Sequence, residues 1–231
     1  MARPIGERDR VRWLTYFDLL GIRALIAEGR EGRVFDAYWA AQKEFKNHSE
    51  WAPTLGHAWL SDTFLIVAPD DSSESFKRLE FMSRCFAGSL LGHQIPLRGA
   101  IACDRFFADY DERVYFGRAL VEAYEYGEGQ DWIGMLLCPS ASARLNSLPE
   151  WERVRQYYRS VDVPWKRRPP QAAATLSACV LGSWAHRNNR NSLIEPLERM
   201  LAQCNNVDAR EKYSRTLRFL CEEGIPHGEM G

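Results

Sequence analysis

The chain has 231 residues, 45% hydrophobic and 26% charged, enough for one domain with a full core. That composition excludes wholesale disorder and collagen-like or disulfide-knot architectures. Lys plus Arg total 30 against 31 Asp plus Glu, a formal charge of -1, so duplex nucleic acid is disfavoured as the main partner; the preference for Arg over Lys suits a small anion.

Arg12 to Phe17 reads as a strand ending at Asp18, with Gly21 just beyond. Leu20 to Lys46 reads as two helices broken near Gly29 and Gly32. Thr54 to Leu60 and Thr63 to Ala68 form a strand pair around the two-residue connection Ser61-Asp62. A helix capped at Ser72 or Ser73 carries Phe76, Leu79, Phe81, Met82 and Phe86. Then come a strand at Pro96 to Cys103, a helix at Arg118 to Tyr126, a strand at Trp132 to Cys138 and a short helix at Pro139 to Leu145. A sheet layer covered by helices follows from that order. Beyond Trp151 the texture turns to aromatics and Arg, with a further strand at Thr175 to Gly182 and helices at Ile194 to Gln203 and Ala209 to Glu223. This part reads as a lid or dimerisation element, which divides the chain into a domain over 1–150 and an extension over 151–231.

The six cysteines form no CxxC, and the five histidines show no ligand spacing, so buried thiols are expected rather than zinc. The opening MARPIGERDRVRW has no apolar core of a signal peptide, and no apolar run reaches bilayer-spanning length. A cytoplasmic protein without membrane insertion is the expectation.

Asp18 and Asp62 carry the most chemistry. Each sits at a strand end, and if the strands are neighbours both carboxylates emerge at one sheet edge. A divalent cation or a proton must then resolve their repulsion, and Mg²⁺ or Mn²⁺ is the fitting hard ion. The plain reading is that Asp18 caps a helix, Gly21 relieves a tight turn, and Ser61-Asp62 is a common turn pair.

Four segments, YFDLLGIRAL (Tyr16 to Leu25), WLSDTFLI (Trp59 to Ile66), LRGAIA (Leu97 to Ala102) and FGRALVEAYEYGEGQDWIGMLL (Phe116 to Leu137), resemble in order the class III nucleotidyl cyclase family. More narrowly, they resemble the small bacterial pyrimidine cyclases of the Pycsar antiviral defence system, over residues 11 to 145. The resemblance implies an α+β, ferredoxin-like βααββαβ core and a homodimer with active sites at the interface. It implies two Mn²⁺ or Mg²⁺ ions held by Asp18, Asp62 and the carbonyl of Leu19, with backbone N–H groups of Leu20, Gly21 and Ile22 on the triphosphate. The implied reaction is cyclisation of UTP, or of CTP, to a 3′,5′-cyclic monophosphate that a separate effector senses.

The chain departs from the family at several positions. Ala58 stands where adenylate-making members carry a base-reading Lys, and Ser61 where a Gly is usual. The Asn and Arg of classical members fall on Val121 and Glu125, or one residue later on Glu122 and Tyr126. The pyrimidine subgroup shares the Glu-Ala-Tyr pattern. Arg98, in an apolar strand beside Gly99, is then the candidate for α-phosphate or base contact, with a buried pairing to Asp18 or Asp62 as its alternative. Arg118 is a second candidate. Trp59 is placed either to stack on the base or to pack in the core. Glu122 and Glu125 are read as solvated or as orienting a base or Arg98, and the Lys166 to Pro170 run as a solvated loop or a phosphate contact.

Overall fold

The computed structural model describes residues 9–48, 54–149, 163–167 and 191–222. The expected strand at Thr175 to Gly182 lies outside them. In chain order the elements are β1 (Asp9–Leu19), α1 (Ile22–Ala27), α2 (Glu31–Asn47), β2 (Gly56–Leu60), β3 (Thr63–Val67), α3 (Ser73–Gly92) and β4 (Leu97–Asp109). They continue with β5 (Val114–Gly117), α4 (Arg118–Gly129), β6 (Gly134–Leu137), α5 (Pro139–Asn146), α6 (Asn191–Gln203) and α7 (Val207–Glu222). The first seven follow the expected βααββαβ order.

The sheet runs β2-β3-β1-β4, with β5 antiparallel beside one half of β4 and β6 parallel beside the other. β1 and β4 form its centre, paired antiparallel from Asp9↔Phe107 to Leu19↔Leu97. Strand side chains alternate between faces, so β1 divides its residues in two. Trp13, Thr15 and Phe17 meet α3: Trp13 packs on Phe76, Phe17 on Phe86, and Thr15 Oγ1 lies 2.8 Å from Ser83 Oγ. Ser83 donates its own proton to the Leu79 carbonyl, so Thr15 is the donor in that buried pair. Ser72 caps α3, accepting from Ser75 N at 3.2 Å.

Tyr16 and Asp18 point to the other face, where α4 crosses β1 and β4. Small residues permit the crossing. A Cβ on Gly127 would lie 2.7 Å from the Tyr16 ring, and one on Gly99 2.3 Å from the Tyr16 carbonyl oxygen. Sheet and helices thus bury a core on both faces, including Trp13, Phe17, Phe64, Phe86, Phe106 and Trp132.

β4 runs six residues past the expected end at Cys103, and β5 was not foreseen. Asp104 and Arg105 interrupt the apolar run, and the connection to β5 has neither Gly nor Pro; its Arg113 takes a left-handed φ of 55°. The C-terminal helices dock on this core. α6 packs on α3, Thr216 of α7 accepts from Ile133 N at 2.8 Å, and Phe219 packs edge-on to Trp132. The short 163–167 stretch lies against the end of α4: Lys166 N donates to Gly129 O at 2.8 Å, and Trp165 packs on Tyr126. Among the described residues no helix is long and apolar enough to cross a membrane.

Candidate functional site

Antiparallel register sets Arg98 directly opposite Asp18. The Arg98 side chain is 3% exposed, and each of its three guanidinium nitrogens has a partner. Nε donates to Asp18 Oδ2 at 2.7 Å, Nη1 to the carbonyls of Glu128 and Gln130 at 2.9 and 2.8 Å, and Nη2 to Glu128 Oε2 at 2.7 Å. Tyr16 donates from the same face to Glu128 Oε1 at 3.2 Å. Of the two roles open to Arg98, the structure shows the buried pairing with Asp18, extended to Glu128.

Two acids therefore share one cation. Burial pushes the Asp18 carboxyl up to about 6; Arg98 pulls it back and Glu128 pushes it further up. Burial likewise raises the Tyr16 phenol, with Glu128 and Asp18 adding to the rise. The folded Asp18 holds its proton more tightly than an unfolded one, so its contribution to stability is full below about pH 4 and lost as pH rises through about 6. Urea midpoints should fall across that window in the native chain, with a shallower fall in Asp18→Asn. Parallel profiles for the two proteins would contradict this assignment.

Asp62 lies in the β2–β3 turn, half-buried, next to Thr63, the register partner of Asp18. Its carbonyl accepts from Leu19 N at 2.8 Å, so the two strand ends are tied together. Ser61 before it adopts a φ of 58°, the left-handed region where Gly carries no steric penalty. Leu20 N donates to the Pro96 carbonyl at 2.8 Å, so the first of the three expected backbone donors is already engaged. Gly21, at φ 79°, opens the six-residue α1.

Leu20 and Gly21 border a cavity of about 860 Å³ whose lining includes Arg30, Arg33, Lys212 and Tyr213. Lys166 stands near the same cluster. Burial lowers its ammonium, Arg98 and Lys212 lower it further, and Glu128 and Asp18 act in the opposite sense. A second cavity, about 790 Å³, is lined by Arg118, Val121, Glu122, Glu125, Asp104 and Ser140. Neither cavity is lined by Asp18, Asp62 or Arg98.

Other candidates fall elsewhere. Trp59 pairs with Phe64, which pairs with Phe17, so it belongs to the α3 face, opposite to Asp18. There it packs on Tyr38, Phe64 and Phe86, and its Nε1 donates to Ser61 O at 2.7 Å. Trp59 thus sits half-buried against the core. Ala58 is on the Asp18 face, its partner Leu65 lying opposite Tyr16. Glu122 accepts from Ser140 N at 3.1 Å and from Ser140 Oγ, an acid placed at the N-terminus of α5, rather than orienting Arg98. Sequence reasoning missed Glu128, whose signal is its place between Gly127 and Gly129 at the end of α4.

Cys103 and Cys138 are buried free thiols as expected, while Cys85 and Cys204 are half-buried. Cys85 is brought together with Glu44 and His48, their ligand atoms all within 4.8 Å of one another, a group compatible with a single metal ion. Spacing along the chain had suggested no such cluster.

No family model matches this chain, and no curated protein matches it. Among solved structures it is similar to the catalytic core of a rhodopsin-guanylyl cyclase with converted specificity, solved in complex with ATPalphaS. That likeness has a TM-score of 0.55 at 9% identity, over 74% of this chain and 95% of that one. Fainter likenesses link it to the monomeric guanylyl cyclase domain of the RhoGC fusion protein from the aquatic fungus Blastocladiella emersonii (TM-score 0.43, 13% identity, 60% and 86% covered). Another links it to adenylate cyclases from Trypanosoma brucei in their monomeric state (0.45, 11%, 73% and 89%). The first of these shows the fold: the chain is an α+β protein built on the ferredoxin-like core of the class III nucleotidyl cyclases, with added C-terminal helices.

Proposed function

We propose that this chain is a metal-dependent nucleotidyl cyclase, a phosphorus–oxygen lyase that converts UTP, or alternatively CTP, to the 3′,5′-cyclic monophosphate and pyrophosphate. The observation that carries the reading is the juxtaposition of Asp18 and Asp62 at tied ends of neighbouring strands, with Asp18 held above its ordinary carboxylate range. A carboxyl so raised is under-compensated by Arg98, and added positive charge there would be favourable; this donor set fits Mg²⁺ or Mn²⁺. Asp18, Asp62 and the Leu19 carbonyl would hold two such ions, which when bound would acidify the ribose 3′-hydroxyl and screen the α-phosphate.

The residues then divide the work. Arg98, from the interior, and the half-buried Glu128 are positioning residues for Asp18. Gly21 and Ile22 offer N–H groups to the triphosphate, and Arg33 and Lys212 line the adjoining cavity with positive charge. The 3′-oxygen attacks the α-phosphorus, the bond to pyrophosphate breaks, and the hydroxyl proton leaves to solvent. Residues 1–150 form the catalytic domain, and the extension over 151–231 contributes Lys166 and Lys212. Phe116, Val121 and Tyr124, 53–58% exposed, with Val121 lining the second cavity, suit burial against a second copy in a homodimer. In the cell this reading makes the protein a cytoplasmic second-messenger synthase of antiviral defence, acting through a separate effector.

The absence of an Asn/Arg pair at Val121 and Glu125 favours a second reading, a catalytically silent module of the same fold that binds nucleotide. One experiment separates them. UTP, CTP, ATP and GTP are incubated separately with purified protein in Mn²⁺ and in Mg²⁺, and products are resolved by mass. A cyclic pyrimidine monophosphate is expected. Metal-dependent binding of triphosphate without product would establish the silent module instead.

A further inference from the structure

The cluster on the helical layer belongs to different chemistry. Glu44, in the last turn of α2, and His48, just past its end, are four residues apart, with His48 Nε2 3.6 Å from Glu44 Oε2. His48 also caps the C-terminal end of α2, and its ring packs edge-on to Phe81 of α3 with centroids 4.8 Å apart. That contact limits how the imidazole can turn. Cys85 stands one turn beyond Phe81 on the same helix. All three candidate ligands are half-buried, and their donor atoms lie within 4.8 Å of one another.

We infer that Glu44, His48 and Cys85 form a binding site for a borderline-soft divalent transition metal of the Zn²⁺ class, clamping the end of α2 to α3. A thiolate, an imidazole and a carboxylate are a zinc donor set and a poor one for Mg²⁺. Bonds of about 2.0–2.3 Å to a tetrahedral ion put the ligand atoms about 3.5 Å apart, so side-chain rotation must close the cluster by only about 1 Å. Three protein ligands leave a fourth position for water. The site is separate from the proposed catalytic ions. α2 and α3 pack together, and α3 covers the face of Phe17 and Phe64, whereas Asp18 and Arg98 lie on the other side of the sheet. The inference stands independently of the cyclase reading.

Cobalt tests it, because a Co²⁺–thiolate bond absorbs in the near ultraviolet and a four-coordinate ion absorbs strongly in the visible. Titrating the full chain with Co²⁺ should give both bands at one ion per chain, and Zn²⁺ should displace them. Cys85→Ser should remove the thiolate band, and His48→Ala should weaken binding at least about tenfold. Cys204→Ser, a control at the second half-buried thiol among the described residues, should leave the spectrum unchanged. Zn²⁺ should also raise the urea midpoint of the native chain and not that of Cys85→Ser. No stoichiometric thiolate band, or one that persists in Cys85→Ser, overturns the site. Neither result bears on nucleotide turnover, which is measured separately in Mg²⁺.

Discussion

Replacing Arg98 by Met should destabilise the fold by about 3–5 kcal/mol at neutral pH, read as the shift in urea unfolding free energy. Arg98 is 3% exposed and answers four acceptors: the carboxylates of Asp18 and Glu128 and the carbonyls of Glu128 and Gln130. Methionine fills much of the same volume, so the loss comes from charge and hydrogen bonding rather than from a cavity. Two acids are then left facing each other without their cation. Acid relieves the defect because protonation removes the uncompensated charge, so the cost should be smaller near pH 5 than near pH 8. Adding Asp18→Asn and Glu128→Gln to the variant should recover roughly 1–3 kcal/mol beyond the sum of the separate effects, as expected for residues in one network. Arg98→Lys should fall between, because three donors on a flexible stem cannot reproduce a fork that engages both acids and both carbonyls. An Arg98→Met protein as stable as the native one would return this arginine to the role of a phosphate ligand.

The local half of this site was legible in the chain. Alternation along β1 puts Tyr16 and Asp18 on one face, and the Ser61-Asp62 turn between two apolar runs is a hairpin signal at short range. What sequence could not supply was register between distant segments. Arg98 lies 80 residues from Asp18, and they meet because Phe17 and Gly99 pair in the middle of the sheet. The same holds for His48 and Cys85, whose meeting depends on how α2 packs on α3. Trp59 illustrates the opposite difficulty. Its parity with Phe64 was visible, but which of the two faces would carry Asp18 depends on β3 pairing with β1. Glu128 carries no signal of its own because most glutamates on helices face water, and only the arrival of Arg98 from β4 draws this half-buried carboxylate into the network. β5 was lost where Asp104 and Arg105 break the apolar pattern that had announced β4.

Asp62→Ala should leave the fold intact and abolish turnover, by at least about three orders of magnitude or roughly 4 kcal/mol of transition-state stabilisation. It is the sharper of the two aspartate tests. Asp18 serves Arg98 as well as the proposed ions, so its removal confounds catalysis with stability. Asp62 enters the fold through its backbone, whose carbonyl accepts from Leu19 N, and alanine retains that bond. Ser61 with its positive φ precedes it and is untouched by the change. The urea midpoint of Asp62→Ala should therefore lie close to the native value, while product formation from UTP and CTP disappears in both Mn²⁺ and Mg²⁺. Loss of the metal dependence of triphosphate binding in the same variant would place the defect at the ions rather than at the base. Native turnover in a folded Asp62→Ala protein would remove the pair of carboxylates from the chemistry, and with it the cyclase mechanism built on them.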